Sequence, residues 1–296
     1  MSSKLFTGVG VAIVTPFDAQ GNIDINSLKS LVSHIIDKGA NFITVLGTTA
    51  ETPTLSREER ELVVKTVAEH NAGRLPLLVG VGGNCTANVI SDLKNLSYFK
   101  YCQGVLSVVP YYNKPSQQGM YEHFKAVAEA SPLPVILYNV PGRTGANMCA
   151  STVMKLANDC PNIVGIKEAS GIMQQATELL KITRPDFSIL SGEDGLVMPL
   201  TAMGFDGVIS VAANQYPQYY VEMINAVREG DVKKAAELHV KLSDYCVALF
   251  AEGNPGGIKA ALHIAGVIND PTLRLPLVSV SDSLVEKMKS IILSLG

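Results

Sequence analysis

The sequence predicts an α/β protein, a (β/α)8 TIM barrel that is followed by a C-terminal helical extension. Short runs rich in Val, Ile and Leu recur along the chain, and longer segments with helical periodicity separate them. About eight such units fit before residue 230, and only helical patterns follow. Crossovers of this kind enforce parallel strands, and eight of them can close into a barrel without open edges. We therefore expect a catalytic barrel over residues 1–230 and a helical region over residues 231–296.

The eight predicted strands are short apolar runs. They need not alternate with polar residues, because barrel strands are buried on both faces. They cover residues 8–15, 42–47, 76–81, 104–109, 135–139, 163–167, 188–191 and 207–211.

The intervening segments carry helical periodicity and mixed charge. Ser56 stands before Arg57, Glu58 and Glu59, which is the pattern of a capping box with an acidic first turn. The predicted helices between strands include residues 25–38, 57–71, 87–98, 117–130, 151–158 and 173–183. Those of the C-terminal region cover residues 232–249, 257–265 and 283–295, with a break at residues 252–257.

A doubly wound open sheet is the competing architecture, since the same alternation of strands and helices builds it. Its usual marker is missing, because Gly80, Gly82 and Gly83 lack the GxGxxG spacing of a dinucleotide site. The barrel is therefore the favoured fold.

Composition favours a small-molecule ligand. The formal net charge is -3, from 24 Lys and Arg against 27 Asp and Glu. Such a balance provides no basic field for phosphates, which disfavours nucleic acid and anionic membranes as partners.

The cysteines and the apolar runs predict a cytoplasmic protein. The five cysteines are scattered, without a CxxC pair, and are expected to be reduced thiols: Cys85, Cys102, Cys149, Cys160 and Cys246. Pro16, Phe17 and Asp18 end the first apolar stretch before a signal peptide could be completed. No later run approaches the ~20 residues of a membrane helix.

Catalytic groups of a barrel lie where the strands end, and Lys167 is the most informative residue there. It ends the apolar run 163–166, so it is expected at the end of a buried strand. Desolvation favours the neutral amine, which is a nucleophile. Alternatively, Lys167 reaches solvent or pairs with Glu168, and position alone does not decide between these interpretations.

Tyr138 and Arg143 follow the preceding strand. The phenol of Tyr138, adjacent to Lys167, can pass the protons that imine formation requires. The guanidinium of Arg143 can hold a carboxylate through two parallel hydrogen bonds. Taken alone, each residue also fits a structural role, Tyr138 as a packed side chain and Arg143 as a solvated one.

Hydroxyl groups mark two further loops. Thr48 and Thr49 follow Gly47 on a turn and can receive a carboxylate or relay a proton, although Gly-Thr-Thr is also a common turn. Tyr111 and Tyr112 form an aromatic pair that more often marks packing or a subunit contact. The histidines lie on predicted helices without ligand spacing, so no metal site is expected: His34, His70, His123, His239 and His263.

Taken together, several segments resemble the dihydrodipicolinate synthase and N-acetylneuraminate lyase superfamily across nearly the whole chain. Long motifs in one order are far more specific than any single motif. They are FTG at 6–8, VAIVTP at 11–16, GTTAE at 47–51, PYYNKP at 110–115, YNVPGRTG at 138–145, GIKE at 165–168, SG at 191–192 and GVISV at 207–211.

The resemblance implies an enzyme that condenses pyruvate with L-aspartate 4-semialdehyde to 4-hydroxy-tetrahydrodipicolinate, on the diaminopimelate route to lysine. Lys167 would form the Schiff base with pyruvate. Tyr138, Thr48 and Tyr112 would relay protons, with Tyr112 contributed to the site of a neighbouring subunit. A dimer at least is implied, commonly a homotetramer, and no organic cofactor or metal.

The same resemblance implies the substrate contacts. The pyruvate carboxylate would rest on Thr48 and Thr49, while Gly192 and the backbone of Ile209 line the pocket. Arg143 at the rim would bind the carboxylate of the semialdehyde.

Two departures from the family pattern stand out. Ala50 and Thr52 replace the usual glycine and serine after Gly47, which removes no reactive group. Arg57 and Arg60 stand where lysine-sensitive relatives use histidines, and Asn88 stands where they use a glutamate, while Asn84 and Tyr111 are retained. Cationic side chains disfavour a cationic effector. We therefore expect weak or absent inhibition by lysine.

Two rival functions remain at this point. An N-acetylneuraminate lyase-like or keto-sugar-acid aldolase or dehydratase would share the lysine and the tyrosine but usually lacks an arginine in the loop of Arg143. A non-catalytic ligand-binding barrel would show decay at reactive positions, and none is visible.

Overall fold

The computed structural model describes residues 4–296 and contains a closed barrel of eight parallel strands. The strands follow one another around the barrel in chain order, and the first pairs in parallel with the last. They are β1 (Gly8–Ala12), β2 (Phe42–Val45), β3 (Leu77–Gly80), β4 (Gly104–Val108), β5 (Val135–Asn139), β6 (Ile163–Glu168), β7 (Ser188–Ser191) and β8 (Gly207–Ser210). The predicted TIM barrel is thus confirmed.

The helices surround the barrel and continue beyond it. Those up to the last strand are α1 (Ile25–Asp37), α2 (Arg57–Asn71), α3 (Thr86–Asn95), α4 (Gln117–Ala130), α5 (Pro141–Thr144), α6 (Ala150–Asp159), α7 (Met173–Leu179) and α8 (Val197–Met203). Those after it are α9 (Pro217–Glu229), α10 (Val232–Phe250), α11 (Gly256–Ile264) and α12 (Asp282–Leu295). Single 3-10 turns occupy Thr48–Ala50, Thr52–Thr54, Ser97–Tyr101, Asp194–Leu196 and Ala212–Asn214.

The predicted bounds differ from the structure mainly where side chains replace backbone pairing. The first strand ends at Ala12 rather than at residue 15. Beyond it, the backbone N–H of Val14 donates to the side chain of Asn214, and the Thr15 hydroxyl donates to the carbonyl of Ala50. The predicted helix 87–98 ends earlier, at Asn95, and a 3-10 turn follows.

Three helices were not predicted, namely α5, α8 and α9. Both α5 and α9 begin with a proline, and α8 has Pro199 in its first turn. Proline usually indicates a loop, but the first helical turn tolerates it because its N–H groups have no partner within the helix.

Residues 1–3, the start of the proposed barrel domain, lie outside the described residues. The division into residues 1–230 and 231–296 stays a proposal. Gly230, at φ +82°, ends α9, and α10 then packs against α8 and α9. The helical region therefore adjoins the last units of the barrel.

Phenylalanine rings close the N-terminal end of the barrel interior. Phe6 and Phe42 contact each other edge to face, with 5.3 Å between ring centroids. A Cβ on Gly10 would lie 2.2 Å from the Phe42 ring, and one on Gly104 would lie 2.7 Å from the Phe6 ring. Glycine at these positions of β1 and β4 thus leaves the space that the two rings fill. Because these rings fill the N-terminal end, we look for a ligand site at the opposite end, where the strands terminate.

A second, larger core lies between the strands and the helices. The capping box at α2 is confirmed, since the Ser56 hydroxyl accepts from the N–H of Glu59, and the Glu59 carboxylate accepts from the N–H of Ser56.

All five histidines lie on helices, as predicted. None of the helices within residues 4–296 combines the length and the apolar composition needed to span a bilayer.

Arg274 ties the segment after α11 to the start of α2. Its guanidinium donates to both carboxylate oxygens of Glu59 and to the carbonyls of Thr54 and Gly21. The hydrogen bond from Arg274 lowers the pKa of the Glu59 carboxyl. The C-terminal region is thereby fastened to the loops that follow the first two strands.

His123 of α4 is a buried histidine whose surroundings shift its pKa. Its Nδ1 lies 2.8 Å from the Thr86 hydroxyl, and its Nε2 is buried without a partner among the described residues. Burial lowers the pKa of His123 from 6.5 to about 4. The ring is therefore neutral in the folded protein at neutral pH.

This burial predicts acid sensitivity. The stability that the neutral ring contributes is fully present above pH 6.5 and is lost as the pH falls from 6.5 to about 4. We expect His123→Gln to remove roughly 2 kcal/mol of that loss, measured by urea unfolding across this range. The exposed His263→Gln is the control. An unchanged pH slope in His123→Gln would contradict the assignment.

Candidate active site

Lys167 and Tyr138 are cross-strand neighbours at the ends of β6 and β5. Both side chains are 6% exposed, and Nζ of Lys167 lies 4.3 Å from the centroid of the Tyr138 ring. The two residues that were expected to be adjacent are therefore in contact.

Glu168 points away from Lys167, because successive side chains of a strand face opposite sides. Its carboxylate accepts hydrogen bonds from the side chains of Asn139 and Gln175 and from the N–H of Ser170. Within residues 4–296, the Lys167 amine forms no ion pair. The ion pair between Lys167 and Glu168, one of the alternatives that the sequence left open, is thus not present among the described residues.

Gly192 makes room for the Lys167 side chain. A Cβ at position 192 would lie 2.9 Å from Cε of Lys167 and 2.5 Å from Cβ of Ala169. The Gly192 N–H donates to the carbonyl of Glu168 at 2.7 Å, which holds the end of β7 beside β6. A larger residue at this position would therefore force Ala169 or the Lys167 side chain to shift.

The hydroxyls of Thr48 and Thr49 lie on the 3-10 turn after β2. Thr48 is exposed, whereas Thr49 is buried and its Oγ1 accepts from Nδ2 of Asn254 at 3.2 Å. The Thr52 hydroxyl donates to the carbonyl of Gly47 at 3.0 Å. The departures at Ala50 and Thr52 therefore keep a closed turn.

A cavity of about 670 Å³ opens at the strand ends. It is lined by Thr48, Tyr138 and Arg143 among the predicted site residues. Lys167 itself does not line the cavity. Its amine contacts the ring of Tyr138, and Tyr138 is a lining residue. The structure thus brings two members of the predicted relay, Tyr138 and Thr48, to the same end of the barrel as Lys167 and Arg143.

Arg143 owes its position to α5. Pro141 begins this single turn, and Gly145, at φ +71°, ends it in the left-handed conformation. The turn leaves the Arg143 side chain exposed at the rim of the cavity.

Ile209 and Tyr112 lie apart from the cavity lining. Ile209 of β8 is fully buried in the barrel interior, in the same apolar cluster as Tyr138. Tyr112 is 86% exposed and has a φ of +80°. Within the single chain, Tyr112 therefore does not join the other predicted site residues, whereas Tyr111 lines the cavity.

Two carboxyl groups after β7 received no role from the sequence. Asp194 is buried, and its Oδ2 accepts from the N–H groups of Val211 and Ala212, which holds the loop after β8. Burial raises the pKa of the Asp194 carboxyl. Burial and the nearby Asp194 raise the pKa of Glu193, whereas the charges of Lys167 and Arg143 lower it. What could have indicated a role for Glu193 and Asp194 in the sequence is their position directly after the strand that ends at Ser191.

The described residues 4–296 contain no group of three or more His, Cys, Asp or Glu side chains that could hold a metal ion. The five cysteines are free, with Cys85 and Cys149 exposed.

Comparison with known proteins gives a consistent result. The sequence profile of the dihydrodipicolinate synthetase family matches residues 5–295. A 4-hydroxy-tetrahydrodipicolinate synthase of Flavobacterium psychrophilum is 47% identical over 285 residues, which cover 96% of this chain and 97% of that protein.

Solved structures agree with this match. The dihydrodipicolinate synthase of Thermotoga maritima superposes with a TM-score of 0.95 at 42% identity, covering 99% of each chain. The chloride-inhibited dihydrodipicolinate synthase of Acinetobacter baumannii, complexed with pyruvate, superposes with a TM-score of 0.93 at 39% identity, covering 98% of this chain and 99% of that one. The barrel, the buried strand-end lysine and these matches over almost the whole sequence establish that the chain belongs to the dihydrodipicolinate synthetase family.

Proposed function

We propose that this protein condenses pyruvate with L-aspartate 4-semialdehyde to 4-hydroxy-tetrahydrodipicolinate, through a Schiff base on Lys167. The observation that carries the proposal is the buried Lys167 amine, which lies 4.3 Å from the Tyr138 ring and has no carboxylate partner within residues 4–296. The names of the family relatives support the same product, and the pyruvate complex of one of them supports pyruvate as a substrate.

The first half of the reaction forms the imine. The Lys167 amine attacks the keto carbon of pyruvate, and the carbinolamine loses water to give a protonated imine. We assign these proton transfers to Tyr138, whose ring centroid lies 4.3 Å from Nζ of Lys167, and to Thr48, which lines the cavity. The imine then withdraws electrons, so that a methyl proton leaves and an enamine forms.

The second half forms the carbon–carbon bond and releases the enzyme. The enamine carbon attacks the aldehyde carbon of the semialdehyde, whose oxygen takes up a proton. The amino group of the semialdehyde then adds to the imine carbon, and the Lys167 amine leaves as the ring closes. Lys167 returns unchanged, and the cycle uses no oxidant or reductant.

We assign the remaining predicted site residues to substrate recognition. The hydroxyls of Thr48 and Thr49 receive the pyruvate carboxylate, and Gly192 and the Ile209 backbone border the imine. Arg143, exposed at the rim, binds the carboxylate of the semialdehyde through paired, charge-assisted hydrogen bonds. Arg143 also favours this function over a keto-sugar-acid aldolase.

The assembly proposed for this chain is a homotetramer, with a dimer as its minimal unit. Its support is Tyr112, which is 86% exposed and strained at φ +80°, as suits a side chain that enters the site of a neighbouring subunit. The proposal also places the enzyme in the cytoplasm and assigns it no cofactor.

Weak or absent inhibition by lysine stays a prediction. Arg60 donates to the carbonyls of Leu55 and Thr52 and lines the cavity. Asp92 lines the same cavity, and the charges of Arg60 and Asp92 act in opposite directions on the pKa of the buried Tyr98 phenol.

The direct test is to trap the imine. Incubation with pyruvate followed by borohydride should add a reduced pyruvate adduct to the peptide that contains Lys167, as read by mass spectrometry. Lys167→Ala should remain unmodified. An adduct on any other lysine would refute the mechanism.

Arg143→Ala separates the two substrates. We expect pyruvate trapping to persist, whereas kcat/KM for the semialdehyde should fall roughly 10- to 100-fold, because a bidentate charged contact is lost. Arg143→Lys keeps the charge without the fork and should be intermediate. Equal loss of trapping and turnover would contradict the assigned role.

Gly192→Ala tests the space beside the amine. The new methyl group would lie 2.9 Å from Cε of Lys167, so we expect imine formation to slow about tenfold or more. Gly195→Ala is a matched control, because a Cβ there meets no atom within 4 Å. Similar trapping rates in the two variants would show that Gly192 is not needed for this purpose.

A further inference from the structure

Three hydrogen bonds from the C-terminal region converge on the turn that carries Thr48 and Thr49. The side-chain amide of Asn254 donates to Oγ1 of Thr49 at 3.2 Å. Nζ of Lys259, on α11, donates to Oε1 of Glu51 at 2.5 Å. The backbone N–H of Arg274 donates to Oε2 of the same glutamate at 2.9 Å. Both oxygens of Glu51 are thus held by residues more than 200 positions away in sequence.

The pair of Glu51 and Lys259 is fully buried, with 0% exposure of either side chain. Lys259 also donates to the carbonyl of Thr272 at 2.9 Å, and its Nζ lies 4.0 Å from the centroid of the Phe17 ring. Burial lowers the pKa of Lys259 to about 8, although the charge of Glu51 opposes this shift.

A buried ion pair is weak evidence for added stability, because desolvation of two charges offsets their attraction. Apolar residues of similar size often stabilise a fold equally well. A role in fixing geometry therefore explains this pair better than a role in stability alone.

The geometry that the pair fixes is that of the turn. Glu51 has a φ of +54°, a conformation that residues with a Cβ seldom adopt without tertiary contacts. Its N–H donates to the carbonyl of Thr48 at 3.2 Å, which closes the 3-10 turn. A change in the position of Glu51 therefore moves the two threonine hydroxyls.

We propose that Lys259 is a positioning residue, which acts through Glu51, with Asn254 alongside, to hold the hydroxyls of Thr48 and Thr49 where they receive the carboxylate of the keto acid. This inference rests on the proposed function. It assigns to the C-terminal region a share in substrate binding, although that region contributes neither the amine nor the proton relay.

The test uses the full-length double variant Glu51→Gln/Lys259→Met, which replaces the charged pair by neutral side chains of similar size. A single Lys259→Met would leave a buried, unpaired carboxylate and is less informative. We expect KM for pyruvate to rise about tenfold, because two hydroxyl contacts are displaced. KM for the semialdehyde should stay within about twofold, and saturating pyruvate should still be trapped on Lys167.

Lys289→Met is the matched control, because Lys289 forms an exposed pair with Glu286 on α12. It should leave all three parameters unchanged. An unaltered KM for pyruvate in a folded double variant, checked by circular dichroism, would overturn the inference. So would an equal rise of both KM values.

Asn254→Ala decides the matter if the double variant does not fold. It removes only the bond to Thr49, and we expect KM for pyruvate alone to rise about two- to fivefold. No change in this KM would overturn the inference. Failure of the proposed function itself would appear differently, as an unmodified protein with native sequence in the pyruvate trap.

Discussion

The contact between Lys167 and Tyr138 across β5 and β6 is the interaction on which the proposed chemistry depends. It places an amine and a phenol side by side next to the apolar cluster that fills the barrel interior. The neighbouring Glu168 would neutralise the amine if it faced the same way. The alternation of the strand directs it outward instead, where Asn139, Ser170 and Gln175 hold it.

The closed and open ends of the barrel have different tasks. Phe6 and Phe42 fill the N-terminal end, and the glycines opposite them permit that filling. At the other end the strands terminate in polar side chains around a cavity of about 670 Å³. Rigid packing at one end therefore supports an arrangement of reactive groups at the other, which is the usual division of labour in TIM barrels.

The C-terminal helices are more than a cover for the barrel. Lys259 and Arg274 hold Glu51, and Asn254 contacts Thr49, so the turn after β2 is fixed from both sides. Tyr112 shows the opposite situation, because it is exposed and leaves the site of its own chain without the third member of the proposed relay. Thr49 is thus held by contacts within the chain, whereas the proposal assigns Tyr112 to the site of a neighbouring subunit.

The sequence by itself determined the barrel, the capping box of α2 and the place of Lys167 at the end of a buried strand. These features are local, because strand and helix periodicities, the box of Ser56 and Glu59, and a lysine at the end of an apolar run are all visible in short windows. The sequence also predicted correctly that Tyr138 is a neighbour of Lys167, because successive strands of such a barrel are adjacent. The helices that begin with proline were not predicted, because proline indicates a loop equally well.

Only the tertiary structure decided the remaining features, because each depends on segments that are distant in sequence. Glu51 and Lys259 are separated by 208 positions, and neither residue type nor spacing indicated that they pair. The space that Gly192 leaves for Lys167 and the exposure of Tyr112 likewise follow from how the loops pack after the barrel has closed.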